Sequence, residues 1–179
     1  MTVIPRIEVA AADKLVLAPS DDNTNPIPSW TQPDPPDDSV VRNYVLSVSP
    51  NAASRTIDIY FSVRPEQPDP SNDNPREMRV PEPCQLVIDL DPMWDWEFRH
   101  TDAVRMKAGA TNSYFNLEHV IDPVTGRCTR IRMHAERFDD PAYANIDEFS
   151  IYVILSQGTG APVPTSLDPD IKNPGDDPP

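Results

Sequence analysis

The sequence predicts an all-β protein: an antiparallel β-sandwich of immunoglobulin-like size, with seven to eight strands and Pro/Asp-rich extended segments between and after them. Three observations predict it. Apolar and polar residues alternate at period two through most of residues 40–63 and 84–157, the spacing that turns one face of a strand toward a core. No apolar pattern of helical period lasts long enough for a major helix. Of 23 prolines, 18 fall in the three tracts 19–38, 64–83 and 158–179, leaving the alternating stretches nearly free of them, as ladder strands require because proline has no N–H to donate.

Taken in order, residues 1–18 carry "IEVAAADKLVLA", which reads as an edge strand or docking segment. Residues 19–38 read as an acidic Pro-rich linker and 158–179 as a disordered acidic tail, since such composition buries too little apolar surface to offset chain entropy. Between them lies the sandwich, 40–157, with the insertion 64–83. Its first strand puts Tyr44, Leu46 and Val48 on one face, and the second Ile57, Ile59, Phe61 and Val63; the short link between them makes the two antiparallel neighbours. Next comes "CQLVIDL", with Cys84, Leu86, Ile88 and Leu90 inward. Asp91-Pro92 then bends the chain, and Trp94, Trp96 and Phe98 resume the alternation. A hairpin comes next, around Asp122-Pro123 and Gly126. Pairing residues whose numbers sum to 248 puts Phe115–Met133 and Leu117–Ile131 inside, Glu118–Arg130 and Tyr114–His134 outside, and Cys128 on the outer face. Phe149, Ile151, Val153 and Leu155 close the core.

The formal net charge is −14, and ten of those charges belong to the three proline tracts. The body is nearly balanced, and the excess argues against partners that are nucleic acid or anionic membrane. No signal-like N-terminus and no membrane-length apolar run is visible, so a soluble, cytoplasmic protein is expected. Cys84 and Cys128 form no disulfide framework. His100, His119 and His134 lack metal-ligand spacing, and five glycines provide no phosphate-cradling loop. No cofactor and no metal site are therefore expected.

Two candidate sites remain. Asp91-Pro92 sits between core strands with Glu82 and Asp89 nearby, and a second carboxylate could assist the attack of Asp91 on its own peptide by sharing a proton. Trp94, Trp96, Tyr114, Arg130, Arg132 and His134 offer aromatic and cationic groups to a small ligand. The run from Glu82-Pro83 to Asp91-Pro92, followed by an aromatic strand and "FSIYVIL", resembles the DP-EP family of small bacterial β-sandwich proteins of unassigned function, over about residues 40–157. That resemblance implies a sandwich fold, an oligomer and self-directed carboxylate chemistry. With no recognisable catalytic constellation, the leading expectation leans away from an enzyme: a β-sandwich acting by association with a second copy or a protein partner through a sheet edge and Pro-rich arms. Autoprocessing at Asp91-Pro92 is the alternative, and ligand binding a weaker one.

Overall fold

A computed structural model of the protein describes residues 24–51, 56–63, 77–80, 82–107, 113–136, 146–156, 161–167 and 170–172. They form twelve strands: β1 (Thr24–Pro26), β2 (Val41–Asn51), β3 (Thr56–Val63), β4 (Glu77–Arg79), β5 (Cys84–Leu90), β6 (Trp96–Phe98), β7 (Val104–Lys107), β8 (Tyr114–Ile121), β9 (Cys128–Ala135), β10 (Ile146–Leu155), β11 (Val163–Leu167) and β12 (Asp170–Lys172). The described residues contain no helix, and none is therefore long and apolar enough to cross a membrane. The fold is the all-β sandwich that the period-two pattern predicts.

One sheet runs β3-β2-β5-β9-β8. The other has seven strands built about β10, which pairs with β7 and β6 along one edge and with β12 and β11 along the other. Apolar residues of the two sheets meet in one core, and the rings of Tyr114 and Phe149 cross between them edge to face, with centroids 4.8 Å apart. Tyr44, Leu46, Leu86, Ile88, Ile131, Met133 and Ile151 are buried there, each contributing about 1.5–3 kcal/mol of transfer free energy.

The strand count exceeds the expected seven to eight because the proline tracts are partly ordered. β1 from the linker pairs with β7, β4 from the insertion pairs with β12, and β11 and β12 from the tail pair with β10. The tail is thus not disordered over β11 and β12. Thr165 and Leu167 are buried, as is Val80 in the insertion, so these tracts do reach the core. Two pairs, β2 with β5 and β4 with β12, are parallel, which alternation alone does not distinguish. Residues 1–18 lie outside the described part.

The β8–β9 hairpin turns as its sequence demands. Gly126 takes a left-handed φ of +70° and donates its N–H to Asp122 O at 2.8 Å. The Asp122 carboxylate accepts the N–H groups of Thr125 and Val124 at 3.0 and 2.7 Å, and these bonds hold its pKa below the usual carboxylate range. The expected register is wrong, however. Tyr114 faces Ala135, Phe115 faces His134 and Glu118 faces Arg132, with irregularities between Phe115 and Glu118 and between Val120 and Ile121. The first irregularity is a bulge at Asn116, which has φ +56°. Each irregularity resets the phase of the strand residues beyond it. Tyr114 and Cys128, expected outside, are consequently buried in the core.

His119 ties the two sheets by accepting the Ala103 N–H on Nε2 at 3.1 Å, which requires the neutral ring with its proton on Nδ1. Burial lowers its pKa from the ordinary 6.5, with nearby His100 and Arg99 lowering it further against Asp102. The unfolded chain therefore binds a proton at this residue before the folded one does. Stability from His119 is complete above about pH 6.5 and is lost as pH falls from there through the folded-state value. Urea midpoints at pH 7.5 and 5.5 should drop more for the wild type than for His119→Gln, which keeps an acceptor and does not titrate; equal drops would refute the assignment.

Candidate functional site

The chemistry-bearing side chains collect where β2 and β5 begin and β9 ends. Val41, Gln85, His134 and Phe115 form one row across the outer face of the five-stranded sheet. His134 points away from the core by the strand period, yet only 2% of its side chain is exposed. The cause is the segment 27–39, which carries Trp30 across it. The Trp30 ring meets His134 at 5.3 Å and Phe115 at 4.9 Å, both edge to face, and its indole N–H is held by Asp34 O.

Carboxylates occupy both edges of the covered ring. His134 Nδ1 lies 2.8 Å from Asp38 Oδ1 and Nε2 lies 3.0 Å from Glu136 Oε2. Both contacts are hydrogen bonds at once only when each nitrogen carries a hydrogen; with one proton gone, one nitrogen presents a lone pair. Such a ring is fixed in orientation by the carboxylates at its two edges. Beside it, the hydroxyl and N–H of Ser39 hold the Asp37 carboxyl below its usual pKa, helped by the proximity of His134. Arg42 pairs with Glu82 at 3.0 Å. Burial pushes the Cys84 thiol up to about 12, against the pull of Arg42, so Cys84 is no nucleophile at neutral pH. Cys128 is likewise free, buried and raised.

Continuing outward along β9, Arg132 and Arg130 come after His134 on the same face. Their partners differ in kind. Arg130 grips Asp89 through two bonds of 2.6 and 3.0 Å, and the Asp89 side chain is only 11% exposed, so this pair is a structural clamp. Arg132 meets Glu118 at 3.6 Å with side chains 38% and 60% exposed, a loose pair whose arginine is available to another anion.

The structure separates the three carboxylates expected to cooperate at Asp91-Pro92. Asp91 accepts the Ser47 hydroxyl at 2.8 Å on one oxygen and the Met93 N–H at 2.9 Å on the other, Asp89 belongs to Arg130, and Glu82 to Arg42. Each is held by a different partner, and Asp91 serves the bend. Of the expected ligand-binding residues, Trp96 and Tyr114 are core and Trp94 is partly buried against it; Arg130, Arg132 and His134 do share a face. Sequence reasoning missed Trp30, Phe115, Asp38 and Glu136. The available signal was Trp30 itself, a lone large aromatic in a Pro/Asp tract, which a solvated linker has no use for. Among the described residues no group of three His, Cys, Asp or Glu is arranged to hold a metal ion.

Residues 36–176 match the family pNTSase1, described as a predicted novel nucleotide synthetase, and the chain belongs to that family. No curated protein matches it. Membership corrects the DP-EP resemblance, which rested on Glu82-Pro83 and Asp91-Pro92; these prove to be the turn chemistry that flanks β5. It also overturns the expected non-enzymatic association protein, and neither autoprocessing at Asp91 nor a simple ligand-binding sandwich agrees with it.

Proposed function

We propose that this member of the pNTSase1 family is an enzyme that forms nucleotides, with His134 as its proton-handling group. The observation that carries the siting is the enclosed imidazole, with carboxylate oxygens 2.8 and 3.0 Å from its two nitrogens. Joining a nucleotide from a nucleoside triphosphate to an acceptor hydroxyl forms a bond from that oxygen to the α-phosphorus and breaks the α-phosphorus bond to the β-phosphate oxygen, releasing pyrophosphate. The proton of the attacking hydroxyl must be taken up, and the protein's remaining task is positioning and charge stabilisation. His134 supplies the first. Trp30 and Phe115 supply aromatic surface of the kind on which a base stacks, an interaction of about 1–3 kcal/mol. Arg132, loosely held and next along the face, is the cation for a phosphate.

The test is incubation of the purified full chain with each ribonucleoside triphosphate, singly and in pairs, in the presence of Mg²⁺, with products read by mass spectrometry. A new nucleotide is expected. Arg132→Ala should raise KM about tenfold, equivalent to about 1.4 kcal/mol for one charge-assisted bond, and leave kcat within about twofold. If no triphosphate is consumed and none raises the melting temperature, the reading fails.

A further inference from the structure

We propose that Asn116 is a positioning residue, a clamp that fixes segment 27–39 on the sheet and thereby seats Trp30 against His134. The catalytic consequence rests on His134 being the proton-handling group of a nucleotide-forming enzyme; the clamp itself rests on geometry alone. In a regular strand residue 116 would succeed Phe115 on the opposite, core-facing side. Here the bulge inserts an extra residue between the Phe115–His134 and Glu118–Arg132 pairs, and Asn116 takes φ +56°, exposed rather than buried.

That conformation presents two groups of one residue to the passing segment. The Asn116 N–H donates to Pro28 O at 2.9 Å, and its side-chain Oδ1 accepts the Trp30 N–H at 2.8 Å. The two bonds bracket Ser29, so they fix both the position and the direction of the chain as it enters Trp30. The indole then lands 4.9 Å from Phe115 and 5.3 Å from His134. The segment reaches the sheet again where Asp38 meets His134 Nδ1. Trp30 and Asp38 thus cover one ring from two points of a strap that Asn116 anchors.

The double demand dictates the residue type. Left-handed φ is open to glycine, asparagine and aspartate far more readily than to other residues. Of these three, only asparagine and aspartate offer an acceptor oxygen one carbon beyond Cβ. Bulges recur beside active sites, where they re-aim side chains, and backbone held in sparsely populated conformations gathers at such places.

Asn116→Gly and Asn116→Asp in the full chain separate the possibilities. Glycine keeps the backbone conformation and deletes the acceptor; aspartate keeps both. Amide exchange at Trp30 and the ring resonances of His134 report the clamp without any turnover. Asn116→Gly should speed Trp30 N–H exchange at least tenfold, move the His134 ring signals and lower kcat/KM about tenfold, while Asn116→Asp stays near wild type on all three. Trp30 exchange and His134 signals unchanged in Asn116→Gly would overturn the clamp even if nucleotides form. The expected spectral changes in a protein that makes no nucleotide would uphold the clamp and sink only the role of His134. Full spectral change with unaltered kcat/KM in an active protein would overturn the positioning role.

Discussion

Replacing His134 with Gln should lower the rate of nucleotide formation by about 10²–10⁴-fold, the range typical of losing a positioned acid or base, with the fold retained. Glutamine approximates the ring's reach and can still donate its amide to a carboxylate, but it cannot act as a general acid or base. The distinction matters because a buried histidine between two carboxylates has a purely structural explanation as well. On that explanation His134→Gln costs stability through an imperfectly satisfied buried site, and the rate per folded molecule is unchanged. The measurement is kcat/KM normalised to the folded fraction from circular dichroism. A rate within tenfold of wild type would remove His134 from the chemistry. Asp38 and Glu136, with side chains 41% and 24% exposed, orient the ring from opposite edges, so Asp38→Asn alone leaves one anchor and should cost less than His134→Gln.

Most of the sandwich was legible because its inner strands alternate cleanly. Tyr44, Leu46 and Val48 in β2, the even-numbered apolar residues with Cys84 in β5, and Phe149, Ile151 and Val153 in β10 all face the core as the period requires. The turn at Asp122–Gly126 was legible from residue chemistry. The failures have local or long-range causes. A single left-handed residue, Asn116, shifts the hairpin register, and no hydrophobic pattern announces it. β11 hid in the tail because "VPTSL" contains Pro164, which a strand tolerates at an edge; only the long neighbouring β10 gives it something to pair with. The site was half visible. Alternation placed Arg130, Arg132 and His134 together on one face of β9, but the cover over His134 comes from Asp38, 96 residues away, and from Trp30. Contacts of that span leave no trace in spacing.

Trp96→Ala should destabilise the protein by about 3–5 kcal/mol, the usual cost of emptying a buried aromatic site. Trp96 is 2% exposed and sits in β6 opposite Leu155. Its indole N–H donates to Asp91 O at 2.8 Å. That carbonyl belongs to a bend already secured by Asp91 N–H to Leu46 O at 2.9 Å and by the Ser47 hydroxyl on the Asp91 carboxylate. Trp96 therefore joins β6 to the end of β5, and the hairpin tip is tied to the same place through Arg127, which reaches Trp96 O at 2.7 Å and Asp95 at 2.8 Å. Trp96→Phe keeps most of the buried area and loses the hydrogen bond with some volume, so a cost of about 1–3 kcal/mol is expected; the difference between the variants measures packing. Urea denaturation reads both, and a Trp96→Ala cost under about 1 kcal/mol would contradict the core assignment. The Phe variant also decides a functional point. Trp96 lies beyond the Leu90 end of β5, whereas His134 pairs with Gln85 near its start. Folded Trp96→Phe should form nucleotides at the wild-type rate, and a loss at equal folded fraction would return Trp96 to the ligand-contacting role that its sequence neighbourhood suggested.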